Sequence, residues 1–188
     1  MRPLKAIATV AASVLFFAAA ATSQEKTLSD AEYIKQALTA APAAVAKGAG
    51  VVRMEADGSM KTLRAEKNGF TCMIMGTDKM CNDHNSMDFI HALMKHEPPP
   101  NKVGISYMLA GDNGASNTDP SAMAKTPTNH WIVTGPHIML FGPPSKALGY
   151  TEAPDPDPTK PYMMWAGTPY EHAMIPVGSA PKAPAATH

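Results

Sequence analysis

Two cysteines, five phenylalanines and two tryptophans are all that 188 residues hold of those types. Charged side chains make up only 17% of the chain, and sixteen Lys and Arg balance sixteen Asp and Glu. Without a basic excess there is no electrostatic footprint for nucleic acid. The hydrophobic share, 45%, is too high for a chain that stays disordered, and the length suits one domain with a core. Catalytic signatures are missing as well. There is no G-x-S-x-G, H-E-x-x-H, P-loop or dinucleotide fingerprint. Gly104-Ile-Ser106-Tyr-Met108 lacks the last glycine of a nucleophile elbow. Asp112 to Asp119 has the composition of a calcium loop, but Gly114 falls too early and the closing Glu is absent.

The single long apolar run lies at the N-terminus. Arg2 and Lys5 precede Ala6 to Ala21, and Thr22, Ser23, Gln24 and Glu25 follow. That order of basic, apolar and small residues predicts a secretory signal peptide over 1–23, cut after Ala21 or Ser23. The run is shorter than the roughly 20 residues a membrane span needs. Its removal would leave 14 basic against 16 acidic side chains. The expected location is periplasmic or extracellular.

Export gives the two cysteines a meaning. In an oxidising compartment an even count predicts a bridge, here Cys72 to Cys81. The spacing is neither C-x-x-C nor a zinc pattern. Closing that ten-residue loop stabilises by about 2.7 kcal/mol in the chain-entropy picture.

Along the chain, Ser29 and Glu32 form a capping box ahead of helical spacing at Tyr33, Ile34, Ala37, Leu38 and Ala41. Pro42 suits the first turn of a second short helix, ended by Gly48. Val51–Glu55, Met60–Ala65 and Phe70–Met75, separated by Asp57-Gly58 and Asn68-Gly69, read as an antiparallel meander. A loop around Cys81 leads to a middle helix capped by Asn85, with Phe89, Ile90, Leu93 and Met94 as its buried stripe. Val103, Ile105, Tyr107 and Leu109 alternate as the buried face of a strand. Gly111 to Thr128 reads as a long polar loop, a class of segment often tied to function. Strands follow at Trp131–Thr134, His137–Phe141, Tyr162–Trp165 and His172–Val177, with Pro154 to Pro158 as an extended spacer. The fold class is α+β: a mostly antiparallel sheet, two short N-terminal helices and one middle helix, forming a single domain over 24–178 with a flexible tail at 179–188.

What the chain has in abundance is methionine, fourteen residues, and some of it recurs beside histidine. Thr134-Gly-Pro136 leads into His137-Ile-Met139, and Gly167-Thr-Pro169 leads, two residues later, into His172-Ala-Met174. Residues two apart on a strand share a face. His137 and Met139 therefore point one way, as do His172 and Met174. Ile138 with Leu140, and Ala173 with Ile175 and Val177, would form the core on the other side, leaving the His-x-Met faces to a cleft or an interface. By contrast, His84, His91 and His96 fall at different places around the middle helix and do not form one site.

Three functional readings follow. The first is a non-catalytic exported module that binds a small ligand or an envelope protein, consistent with the missing catalytic motifs. The second is a periplasmic copper binder using His137, Met139, His172 and Met174, because imidazole with thioether is a donor set that suits copper. The third is a small hydrolase or lyase using His137, His172, Glu171 and Asp119 for acid–base work.

Overall fold

The computed structural model describes residues 28–179. The expected signal segment 1–23 and nearly all of the expected tail lie outside the described residues. Helix α1 (Asp30–Ala37) begins as the capping box requires, with the Glu32 N–H donating to Ser29 Oγ at 3.3 Å. It runs into a 3-10 turn over Leu38–Ala40, and Pro42 opens the four-residue helix α2 (Ala43–Ala46). Among the described residues no helix is long and apolar enough to cross a membrane.

The body is one eight-stranded sheet. Its strands are β1 (Gly50–Met54), β2 (Met60–Arg64), β3 (Phe70–Met75), β4 (Asp78–Asp83), β5 (Gly104–Met108), β8 (His137–Phe141), β9 (Tyr162–Met164) and β10 (His172–Pro176). A second, two-stranded sheet pairs β6 (Ala115–Ser116) with β7 (Trp131–Ile132). The order across the large sheet is β2-β1-β3-β4-β5-β8-β10-β9. Every neighbouring pair is antiparallel except β1 with β3, which run parallel. The α+β class holds, but the opening is not a meander. β2 carries Lys61, Thr62 and Arg64 and has no fully buried residue, so it serves as a charged edge. β3 instead pairs with β1, whose Val51 is fully buried.

Three further local expectations are corrected. Cys81 sits on a strand, not in a loop, directly opposite Cys72 across β3 and β4, and the two are bonded. Helix α3 (His84–Met94) is capped by Asp83, whose Oδ1 accepts the Ser86 N–H at 2.8 Å. Asn85 donates its amide to the Val103 carbonyl. Met94 is exposed, while Ala92 beside it in the last turn is buried.

The face assignment is also reversed. On β5 the buried residues are Gly104, Ser106 and Met108, while Val103 and Ile105 are exposed. On β8 His137, Met139 and Phe141 are buried, and Ile138 and Leu140 only half so. The reason is what covers each side. Helix α3 lies on the Gly104 face so closely that a Cβ there would stand 2.5 Å from the Ser86 nitrogen. Phe89 of α3 stacks on Phe141 with ring centroids 4.3 Å apart. On the opposite face α1 and the 3-10 turn pack on Val51, Cys72 and Cys81, at the β1–β4 end. Aliphatic character alone does not choose the inner face; the position of the helix does.

Candidate functional site

A cavity of ≈ 440 Å³ lies between the α3 face of the sheet and the segment that follows β5. Its floor follows from strand register. Met108 stands opposite His137, and Ser106 opposite Met139. Met139 stands opposite Met174, and Phe141 opposite His172. His172 in turn faces Met164 on the edge strand β9. Directly paired residues share a face of the sheet. The two His-x-Met strands are therefore adjacent and antiparallel, and all four residues singled out from sequence, His137, Met139, His172 and Met174, line this one cavity.

The roof is the segment expected to be a loop. It is a loop for most of its length, but Ala115–Ser116 pairs with Trp131–Ile132. Its polar side chains tie it down. Asp112 Oδ1 accepts the N–H groups of Gly114 at 3.0 Å and Thr134 at 2.8 Å. Ser116 Oγ accepts from Asp119 N and donates to the Asn129 carbonyl. Trp165 is held from both ends, its indole N–H donating to Ser116 O at 2.8 Å and its backbone N–H to Asn117 O. These bonds fix Trp165 at φ 58°, a left-handed conformation that a bulky residue adopts only under constraint. Both tryptophans of the chain, Trp131 and Trp165, line the cavity.

The two histidines have the same local geometry. His137 is fully buried and its Nδ1 lies 2.7 Å from Gly135 O. His172 is 1% exposed and its Nδ1 lies 3.0 Å from Tyr170 O. Each carbonyl belongs to the residue two positions earlier, at the end of the turn entering the strand. A carbonyl has no proton to give, so each Nδ1 carries the hydrogen and each Nε2 carries a lone pair. Burial holds both rings neutral, His137 below the usual imidazole range and His172 down to about 4. Both Nε2 atoms are buried without a protein partner.

The sequence matches no protein-family model, no curated protein and no solved structure. The site therefore rests on its own geometry. Among the described residues no three His, Cys, Asp or Glu side chains converge in a way that would hold a metal ion. The residues of the acid–base reading do not converge either. Asp119 lines the cavity, but Glu171 lines a neighbouring cleft, where its Oε2 accepts the Gly167 N–H at 2.7 Å and pairs with Lys146 at 3.2 Å. The histidines that do meet carboxylates are His84 with Glu66 and His130 with Asp155, both outside the cavity.

Sequence reasoning missed Asp112, Met108 and Met164 as wall residues. Asp112 is half-buried, and its desolvation pushes the carboxyl up to about 6. The methionines could be found only through strand pairing, which no local motif encodes.

Proposed function

We propose that the protein is an exported, non-catalytic binding module and that its binding site is the cavity between sheet and roof. The observation that carries this reading is the pair of buried imidazole lone pairs on its floor. A buried acceptor without a partner costs about 1–3 kcal/mol, and the chain bears that twice in one chamber. A ligand that satisfies both Nε2 atoms recovers the cost on binding. The chamber's volume falls within the range of small-ligand sites, and methionine, phenylalanine and tryptophan supply eleven of its 26 lining residues. Export is supported by the order of residues 1–23 and by the Cys72–Cys81 bond.

The acid–base reading has less support, since neither cavity imidazole touches a carboxylate. Titration with the apolar fluorophore N-phenyl-1-naphthylamine tests the binding site. Saturable 1:1 uptake with quenching of Trp131 and Trp165 is expected. No uptake, or uptake that leaves both tryptophans unchanged, would refute the cavity as the site.

A further inference from the structure

We propose that the cavity floor binds Cu(I), one ion at each of two half-sites, each made from one imidazole and its neighbouring methionine thioethers. This rests on the reading of the cavity as the binding site and names its ligand. On the sheet face, His137 has Met108 directly beside it on β5, Met139 two residues along its own strand, and Met174 on the diagonal. His172 has Met164 beside it on β9, Met174 along its own strand, and Met139 on the diagonal. The pattern is pseudo-twofold about the Met139–Met174 pair, and all six residues line the cavity. Opposed residues on neighbouring strands have Cβ atoms about 4.5–5.5 Å apart, within reach of long side chains.

Thioether is a soft donor and imidazole a borderline one, and together they select Cu(I). Magnesium and calcium take oxygen ligands, and zinc, which accepts imidazole, completes its shell with thiolate or carboxylate rather than thioether. The thiols are not available to compete, because Cys72 and Cys81 are joined and pack under α1 on the other side of the sheet. Each imidazole already has the outer hydrogen bond that a metal-binding histidine needs, Nδ1–H to a backbone carbonyl, with Nε2 left free. Packing alone explains why methionine fills a core. It does not explain why each buried imidazole keeps an unpaired lone pair on a sheet face that it shares with methionines of its own and both neighbouring strands.

The register favours two ions over one. His137 pairs with Pro176, and His172 lies four residues further along β10, roughly 13 Å at about 3.3 Å per residue. The Met139–Met174 pair stands between them and serves both half-sites. Met123, 94% exposed, also lines the cavity and offers a solvent-facing thioether.

The test is an anaerobic titration of the disulfide-intact chain with Cu(I), supplied as its acetonitrile complex in competition with bicinchoninate. Two equivalents are expected. His137→Leu and His172→Phe should each retain one. Met139→Leu keeps the side-chain volume and removes only the sulfur, so it should weaken both sites on the order of tenfold or more while leaving the fold intact. Within His172→Phe, Met108→Leu should weaken the remaining site and Met164→Leu should not. A stoichiometry of one, or Met→Leu variants with unchanged affinity, would overturn the proposal. Absence of Cu(I) binding with retained uptake of N-phenyl-1-naphthylamine would overturn copper and leave the cavity reading standing. Absence of both would end both.

Discussion

Met139 and Met174 stand directly opposite one another across β8 and β10, and each histidine of the cavity lies two residues from one of them on the same face. The two halves of the sequence repeat thus meet at their methionines, and the imidazoles are carried outward to the two ends. The Nδ1-to-carbonyl bond of each histidine reaches back two residues, so the turn entering each strand sets the ring's orientation. Short local sequence creates two like units, and antiparallel pairing joins them.

An unpaired buried lone pair costs stability. His172→Phe should therefore stabilise the empty protein. The ring stands among Phe89, Phe141 and Trp165, with centroids 6.1, 5.0 and 4.9 Å away, so a phenyl group suits its surroundings. Removing the orphaned acceptor should contribute about 1–3 kcal/mol against about 1 kcal/mol for the lost Nδ1–H bond to Tyr170 O, read as a slightly raised urea midpoint with unchanged slope. A lowered midpoint would show that Nε2 is not an energetic burden.

Much of this was legible in the sequence, and the rest was not for a physical reason. The capping box at Ser29, the bond between Cys72 and Cys81, the extent of β8 and the His-x-Met repeat depend on contacts between nearby residues. Which face of β8 turns inward depends on α3, which reaches the sheet through Gly104, a residue with no side chain to enter a hydrophobic pattern. Periodicity showed two faces, and the apolar count favoured Ile138 and Leu140. The helix covered the other one.

That close approach gives its own test. A methyl group on Gly104 would meet Ser86 N at 2.5 Å, Ser86 Cα at 2.9 Å and Asn85 C at 3.0 Å, all backbone. Helix α3 would have to move, since no side chain is there to swing aside. Gly104→Ala should cost about 1–3 kcal/mol and loosen the cavity, because α3 supplies Phe89 and Ile90 to its wall. Gly58→Ala is a useful comparison: its φ of 81° adds strain, but nothing lies within 4 Å, so cavity binding should be unaffected. A Gly104→Ala protein with wild-type stability and binding would contradict the packing described.

Replacing both cysteines with Ala should lower stability by about 2–3 kcal/mol. For a domain of this size that corresponds to a fall of roughly 5–10 °C in Tm. The bond lies on the α1 face, so ligand uptake at the cavity should persist at temperatures where the variant stays folded. Loss of uptake with the fold retained would show that the two faces are coupled through β3 and β4.

The pH dependence sets two buried imidazoles, His137 and His172, against one half-buried carboxyl. His172 has its folded pKa depressed to about 4, chiefly by burial. The folded state takes up its proton less readily than the unfolded chain does. Its stabilising contribution is complete above the unfolded value near 6.5 and is lost as pH falls toward 4, by on the order of 3 kcal/mol. Asp112 runs the other way. Burial raises its folded pKa to about 6, so its contribution is complete below about 4 and is lost as pH rises through 6. Over the same interval the carboxyl gains what the imidazoles lose, which flattens the wild-type profile. Single substitutions should separate them. Asp112→Asn keeps an oxygen to accept from Gly114 and Thr134 without the buried charge. It should be more stable than wild type by on the order of 3 kcal/mol well above pH 6 and close to it at pH 4. Its own profile should therefore fall steeply on acidification, because the imidazoles are no longer opposed. His172→Phe leaves only His137 to oppose Asp112, so its stability should hold up better than the wild type's as pH is lowered from 6.5 to 4. Urea unfolding at half-unit pH steps reads all three curves, and parallel curves would mean that neither substituted group titrates as its surroundings dictate.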